Sequence, residues 1–229
     1  MADAASSTIG TFLTEVQDCR AQAQGDPALA QALIAVKRWQ SQRFAQTYAD
    51  LLRSPIYGGC ARFFLDELYG ARDFSLRDAQ FARIAGPLER NFPAAVAQTA
   101  TTLAQLHAVT ERLDLAMARH WLDLRAMPVQ QRYASAWKAL GCADQRQWQL
   151  DTVLELGRSL GQLTRKKSLG MMLRLMRKPA ELAGLGALQT FLETGFAEFS
   201  RIAAQPQHLD QFLDIIASRE SQWMASLFA

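Results

Sequence analysis

FFLDELYGARDFSLRDAQFAR, residues Phe63 to Arg83, decides the reading of this chain. It joins two helical patterns across a few polar residues and carries Phe63, Phe64, Tyr69, Phe74 and Phe81 among seven charged side chains. In its first part Phe63, Phe64 and Leu68 recur at i, i+1 and i+5, with Leu65 and Tyr69 widening the face, so most of the circumference of a helix here asks for burial. Gly70 follows the last periodic residue, where a residue without a Cβ can take the left-handed conformation that closes a helix. The second part is expected to open at Ser75 as N-cap, with Asp78 in the place of a capping-box acid and Phe74 as the staple ahead of it. Phe81 and Ile84 continue the buried side. The charges Asp66, Glu67, Arg72, Asp73, Arg77, Asp78 and Arg83 read either as the lining of a polar site or as a corner tied by its own ion pairs. The second reading makes Phe63, Phe64, Gly70, Asp73, Phe74, Ser75, Arg77, Asp78 and Phe81 a structural corner, with most of its charges bonded to backbone or to each other.

Outward from this corner the 3.6-residue period persists, and almost no window shows the strict alternation of a strand. A first helix is expected from Ser7 to Gln24, stopped by Gly25. Asp26 and Pro27 then open a long helix to about Ser54, before Ser54, Pro55, Gly58 and Gly59 break the pattern. Gly86-Pro87 marks an interruption or a kink, and Pro93 starts the longest element, running to about Ala126. Further helices are expected from Pro128 to Leu140, from Asp144 to about Leu160, between Ser168 and Lys178, from Pro179 toward Ala204, and from Pro206 to about Phe228. The expected fold is thus all-α, a bundle of eight to nine helices without a sheet. A single domain over residues 1–229 is expected, with Met127-Pro128 as the place for any internal boundary.

The run FFLDELYGARDFSLRDAQFAR resembles the pattern FFLxELYGxxDFxxRDxQFxR of a family of uncharacterised bacterial, all-helical proteins. The stretch PAELAGLGALQTFLETGFAEF, from Pro179 to Phe199, is similar to the C-terminal part of the same family. The resemblance implies a bacterial protein with a domain of unknown function and brings no activity, ligand or catalytic residue with it.

Composition narrows the rest. With 49% hydrophobic residues in 229, the chain can bury a sizeable core without outside help. The N-terminus lacks a basic region followed by an apolar run, and no window reaches the ~18 apolar residues of a membrane span, so a soluble, cytoplasmic protein is expected. Cys19, Cys60 and Cys142 are odd in number and far apart, which argues against a disulfide framework and a zinc site.

Two places carry chemistry. On the long helix His107, Glu111 and Asp114 lie within two turns of one another, a grouping that suits a ligand pocket, a proton relay or a haem ligand, or else a core histidine satisfied by a carboxylate. Di-iron chemistry is set aside, because Ala104, Met117 and Gln205 stand three residues before the histidines where that motif needs glutamate. The second place is the segment from Leu156 to Ala180, which has seven basic residues and no acid. Arg165, Lys166, Lys167, Arg174, Arg177 and Lys178 there make an amphipathic basic helix, a candidate for binding anionic surfaces, either membrane or nucleic acid, or else a core helix with a solvated face. Leu160-Gly161 sits like the turn of a helix-turn-helix, but Lys167 and Gly170 occupy the positions that should pack inward. Small residues at Ala180, Ala183, Gly184, Ala187 and Gly195 permit close approach of another helix, within the core or in a homodimer. No nucleophile–base spacing, metal set or cofactor motif is expected. The favoured function is a non-enzymatic interaction protein working through helical surfaces, with an anionic-surface binder and an apolar or haem-like pocket near His107 as alternatives.

Overall fold

Capping side chains set the first two helix starts. Ser7 Oγ accepts from the Gly10 amide at 2.9 Å, and Asp26 Oδ1 accepts from the Ala28 and Leu29 amides ahead of Pro27 in the first turn. The computed structural model describes residues 7–68, 70 and 72–228. These fold into α1 (Thr8–Gln24), α2 (Pro27–Thr47), α3 (Ala49–Arg53), α4 (Gly58–Phe63), α5 (Ser75–Asn91), α6 (Ala94–Asp123), α7 (Val129–Leu140), α8 (Ala143–Thr164), α9 (Lys167–Leu182), α10 (Gly186–Ala203) and α11 (Pro206–Phe228), with a π-helical turn over Phe64–Leu68 after α4. No strand occurs among the described residues, so the all-α class holds.

The helix count among them is eleven rather than eight to nine, for identifiable reasons. The helix expected to run to Ser54 breaks at Tyr48, which leaves helical geometry (φ −111°, ψ 23°). Its ring is fully buried and its hydroxyl donates to Glu220 Oε1 at 2.7 Å. A tertiary bond thus overrides a continuous local pattern. Gly58 and Gly59, read as breakers, instead open α4. A Cβ at Gly59 would stand 1.7 Å from Glu198 Oε2, so glycine here lets α10 come close. Pro179 does not restart the chain but lies inside α9, as Pro87 lies inside α5. Gly161 is not a turn: α8 continues through it to Thr164, with a Cβ at Gly161 only 2.3 Å from Leu209 Cδ2 of α11.

α6 is the axis of the bundle, 30 residues and therefore about 45 Å long. α1, α2, α7 and α8 pack around it, while α10 and α11 close over α8. The main core holds Phe44, Tyr48, Phe63, Phe64, Trp121, Tyr133, Trp137, Phe199 and Phe212, and a smaller one joins Ile9 and Leu13 of α1 to Ala85, Leu88 and Ala104. The first half of the Phe63–Arg83 corner belongs to the main core: Phe63 stacks on Phe191 with centroids 5.5 Å apart, and Phe64 meets Phe212 at 5.9 Å. Tyr69 lies outside the described residues. The second half is capped differently from expectation. The carboxylate of Asp73, not the hydroxyl of Ser75, takes the free amide, accepting from Ser75 N at 2.9 Å, and Ser75 is already in the helix. Asp78 consequently does not fold back as a capping-box acid but turns into the protein.

All three cysteines are free. Burial, with the nearby Glu198 carboxylate, pushes the Cys60 thiol up to about 12, which makes it an inert core residue.

Candidate functional site

The spacing of α6 puts Leu103 and the polar His107, Thr110, Glu111 and Asp114 on one face, at i, i+4, i+7, i+8 and i+11. In the structure that face borders a cavity between α6 and its neighbours. Its volume is about 150 Å³, room for roughly five waters. Charged groups reach it from α2, α5, α8 and α11.

At one end Asp78 gathers three partners, two guanidinia and an imidazole. Its Oδ2 accepts from Arg20 Nη2 at 2.6 Å and lies 2.8 Å from His107 Nε2, while Arg77 Nε donates to Oδ1 at 3.3 Å. Arg77 also donates to the Glu67 carbonyl at 3.0 Å, an oxygen supplied by the π-helical turn, and its guanidinium lies between the rings of Phe74 and Phe191 at 4.2 and 4.6 Å. Burial alone would push the Asp78 carboxyl up. The hydrogen bond and charge of His107, with Arg77 and Arg20, more than offset it and hold Asp78 well below the usual carboxylate range. Arg72 is 3.6 Å from Asp66, both exposed, so Arg72, Asp73, Arg77 and Asp78 all have partners.

At the other end the pairs are made across long loops of sequence. Lys37 Nζ donates to Glu111 Oε1 at 2.6 Å, and Gln40 Nε2 donates to Asp114 Oδ1 at 2.9 Å and reaches the Tyr133 hydroxyl at 3.3 Å. Arg43 and the Tyr48 hydroxyl both donate to Glu220 Oε1. Tyr133, Trp137 and Trp223 form an aromatic wall, with centroids 5.1 to 6.0 Å apart.

Arg146 stands apart in this company. It is only 7% exposed and its guanidinium lies 4.4 Å over the Trp137 ring. Its Nη1 donates to Gln149 Oε1 at 3.0 Å, and Gln149 in turn donates to Thr110 Oγ1 at 2.8 Å. Its Nε and Nη2, both buried, have no hydrogen-bond partner, and no carboxylate pairs with it among the described residues. Glu111 Oε2 is likewise buried without a donor. Buried polar groups are overwhelmingly satisfied in folded proteins, and an unpaired buried cation is the costliest exception.

The local field does not neutralise Arg146 by contact. Burial pushes the Asp114 carboxyl up, against the smaller opposing pull of Lys37, Arg146 and the Gln40 hydrogen bond. A carboxyl raised in the folded state holds its proton more tightly than in the unfolded chain. The stability from that is complete below the ordinary value of about 3.9 and is lost as pH rises toward the folded one. Asp114→Asn keeps the acceptor for Gln40 and removes this loss, so the variant is expected to melt above the wild type at pH 7, by a margin that widens as pH rises above about 4. Thermal denaturation across that range checks it.

His107, Glu111 and Asp114 therefore line one cavity, and Gly70, Phe74, Arg77, Asp78 and Phe81 of the corner border it as well. Phe63, Phe64, Asp73 and Ser75 do not. Arg165, Lys166, Lys167, Arg174, Arg177 and Lys178 are all exposed, away from the cavity on or just before α9. Lys37, Gln40, Arg43, Tyr133, Arg146 and Glu220 had not been singled out as site residues. A signal did exist for Arg146, which stands at i in a series continuing through Leu150, Leu154, Gly157 and Gly161, all buried positions of α8. Among the described residues no group of three or more His, Cys, Asp or Glu side chains is placed to hold a metal ion.

Comparison with known proteins returns one family. Its model, described as Domain of unknown function (DUF8198), matches residues 19–229. No curated protein and no solved structure matches the chain.

Proposed function

The chain belongs to the DUF8198 family, and we propose that its function lies in the interior cavity, as a receptor for a small carboxylate-bearing molecule with an apolar or aromatic body. The observation that carries this is the Arg146 fork. Nε and Nη2 are the two donors on one edge of a guanidinium, set at the spacing of the two oxygens of a carboxylate. Both are buried and unpartnered, on a residue that lines the cavity. The same chain shows what such an edge does when a carboxylate is in reach: Arg177 Nε and Nη2 grip Glu193 at 3.1 and 2.6 Å.

The surroundings fit that ligand class. Trp137 and Trp223 offer flat apolar contact to its body, and the free Glu111 Oε2 offers an acceptor for a hydroxyl or amino group on it. A cavity of about 150 Å³ suits a molecule built on a single small ring and not a tetrapyrrole. His107 Nε2, the nitrogen a haem iron would take, is occupied by Asp78. These points favour a small acid over a haem-like ligand, and binding over catalysis, since Glu111, Asp114 and Glu220 of the lining are engaged by Lys37, Gln40 and Arg43, and Asp78 by Arg20 and Arg77.

The test is a thermal-shift titration with benzoate, salicylate, indole-3-acetate and inorganic phosphate, alongside native mass spectrometry of protein from its own host. A fitting carboxylate at a hundred times its dissociation constant is expected to stabilise by about 2.7 kcal/mol, or about 5–10 °C for a chain of this size. No saturable shift with any acid, together with no retained small molecule, would overturn the reading.

A further inference from the structure

α9 is attached to the bundle along one side only. A Cβ at Gly170 would stand 2.7 Å from Phe196, so its absence lets the helix lie on α10. The Leu173 carbonyl accepts from Gln189 Nε2 at 2.7 Å, Arg177 grips Glu193, and Ala180 is buried. At its end the Ala183 carbonyl accepts from Arg83 Nη2 at 2.9 Å. The opposite side carries Met171, Leu175 and Leu182, which are 57, 72 and 91% exposed. With ~100° per residue these three fall within one narrow stripe, and Lys178 sits at its edge. Lys167 and Arg174 lie beyond Lys178 on the same side of it, and Arg165 and Lys166 precede the helix. None of these five cations is in an ion pair among the described residues.

We propose that α9 docks this protein onto an anionic lipid surface, with Met171, Leu175 and Leu182 entering the interface and Lys167, Arg174 and Lys178 lying against headgroup phosphates. Charge decides among the occupants. A second copy of the chain would bring two strongly basic faces together, each with Glu181 as the one acid of α9, which like-charge repulsion opposes. An anionic surface complements both features at once, because long basic side chains reach outward to phosphate while their stems and the apolar stripe stay in the less polar layer. Nucleic acid would engage the cations but leave Leu175 and Leu182 without a role. The side chains that tie α9 to α10 point the other way, so docking requires no change in the fold. The proposal is independent of any ligand in the cavity.

Cosedimentation of the full chain with vesicles of phosphatidylcholine alone, or with 30% phosphatidylglycerol, tests it. The expected result is binding to the anionic vesicles only, falling at least tenfold between 0.05 and 0.5 M salt. Lys167→Glu/Arg174→Glu/Lys178→Glu is expected to abolish binding. Leu175→Gln/Leu182→Gln is expected to weaken it about tenfold at low salt, with the melting temperature of both variants unchanged because all five positions are exposed. Absence of binding at low salt overturns the proposal. So does binding that ignores the leucine changes, or duplex DNA or RNA competing fully with vesicles while those changes have no effect.

Discussion

Arg146→Met is expected to abolish carboxylate binding and to leave the protein at least as stable as the wild type. A residue that serves the fold cannot show that combination. The guanidinium is buried with two of its three nitrogens unsatisfied, so folding desolvates a charge without giving it an anion. Replacing a buried ion by an apolar side chain of similar volume is often neutral or stabilising by about 1–4 kcal/mol. The contact over Trp137 is lost, which offsets about 0.5–2 kcal/mol of that gain. For the ligand the sign is opposite. Losing two charge-assisted hydrogen bonds at a buried guanidinium is expected to weaken binding by at least 100-fold, about 2.7 kcal/mol. Arg146→Lys keeps the charge but not the edge of paired donors, and is expected to recover less than a tenth of the affinity. Urea unfolding without ligand, paired with titration of the best acid, separates the two effects. A loss of more than about 2 kcal/mol in stability for Arg146→Met would mean that Arg146 is a core residue whose partner is water, and the cavity would lose its anion seat.

How much of this was legible in the sequence depends on the range of the interaction. The register of α6 is local, so the placing of His107, Glu111 and Asp114 on one face follows from spacing alone. What faces them does not. Lys37 is 74 residues from Glu111, and Arg43 is 177 from Glu220, and no periodicity encodes such pairings. The corner shows the same division. Its aromatics announce burial, yet the π-helical turn over Phe64–Leu68 leaves no mark in a 3.6-residue pattern, and it supplies the Glu67 carbonyl that Arg77 takes. The cap was read at Ser75 because two short polar residues two apart compete for the same amides, and only the backbone path past residue 72 decides for Asp73. In α9 the amphipathic pattern was visible, but which part of the apolar half would be covered depends on Gly170 meeting Phe196, a contact from another helix.

Asp78→Asn carries the largest expected loss of stability, about 3–5 kcal/mol at pH 7. The carboxylate is 3% exposed and is the common acceptor for Arg20, Arg77 and His107, which come from three different helices. Removing one member of a buried ion pair leaves its partners desolvated, and here Arg20 loses its carboxylate while Arg77 keeps only Glu67. The dependence on pH distinguishes this account from a mere loss of packing, since asparagine is nearly the same size. A carboxyl whose value is lowered by folding contributes stability that is present above the ordinary value of about 3.9 and disappears as pH falls through the folded one. The gap between wild type and Asp78→Asn in urea unfolding is therefore expected to be full from pH 5 to 7 and to shrink steadily below about pH 4. Asp114, raised rather than lowered, works in the opposite direction and cannot imitate that profile. A gap that stays constant down to pH 3 would show that Asp78 acts by shape and not by charge, and the cavity would then rest on a neutral hydrogen-bonded corner instead of an ionic one.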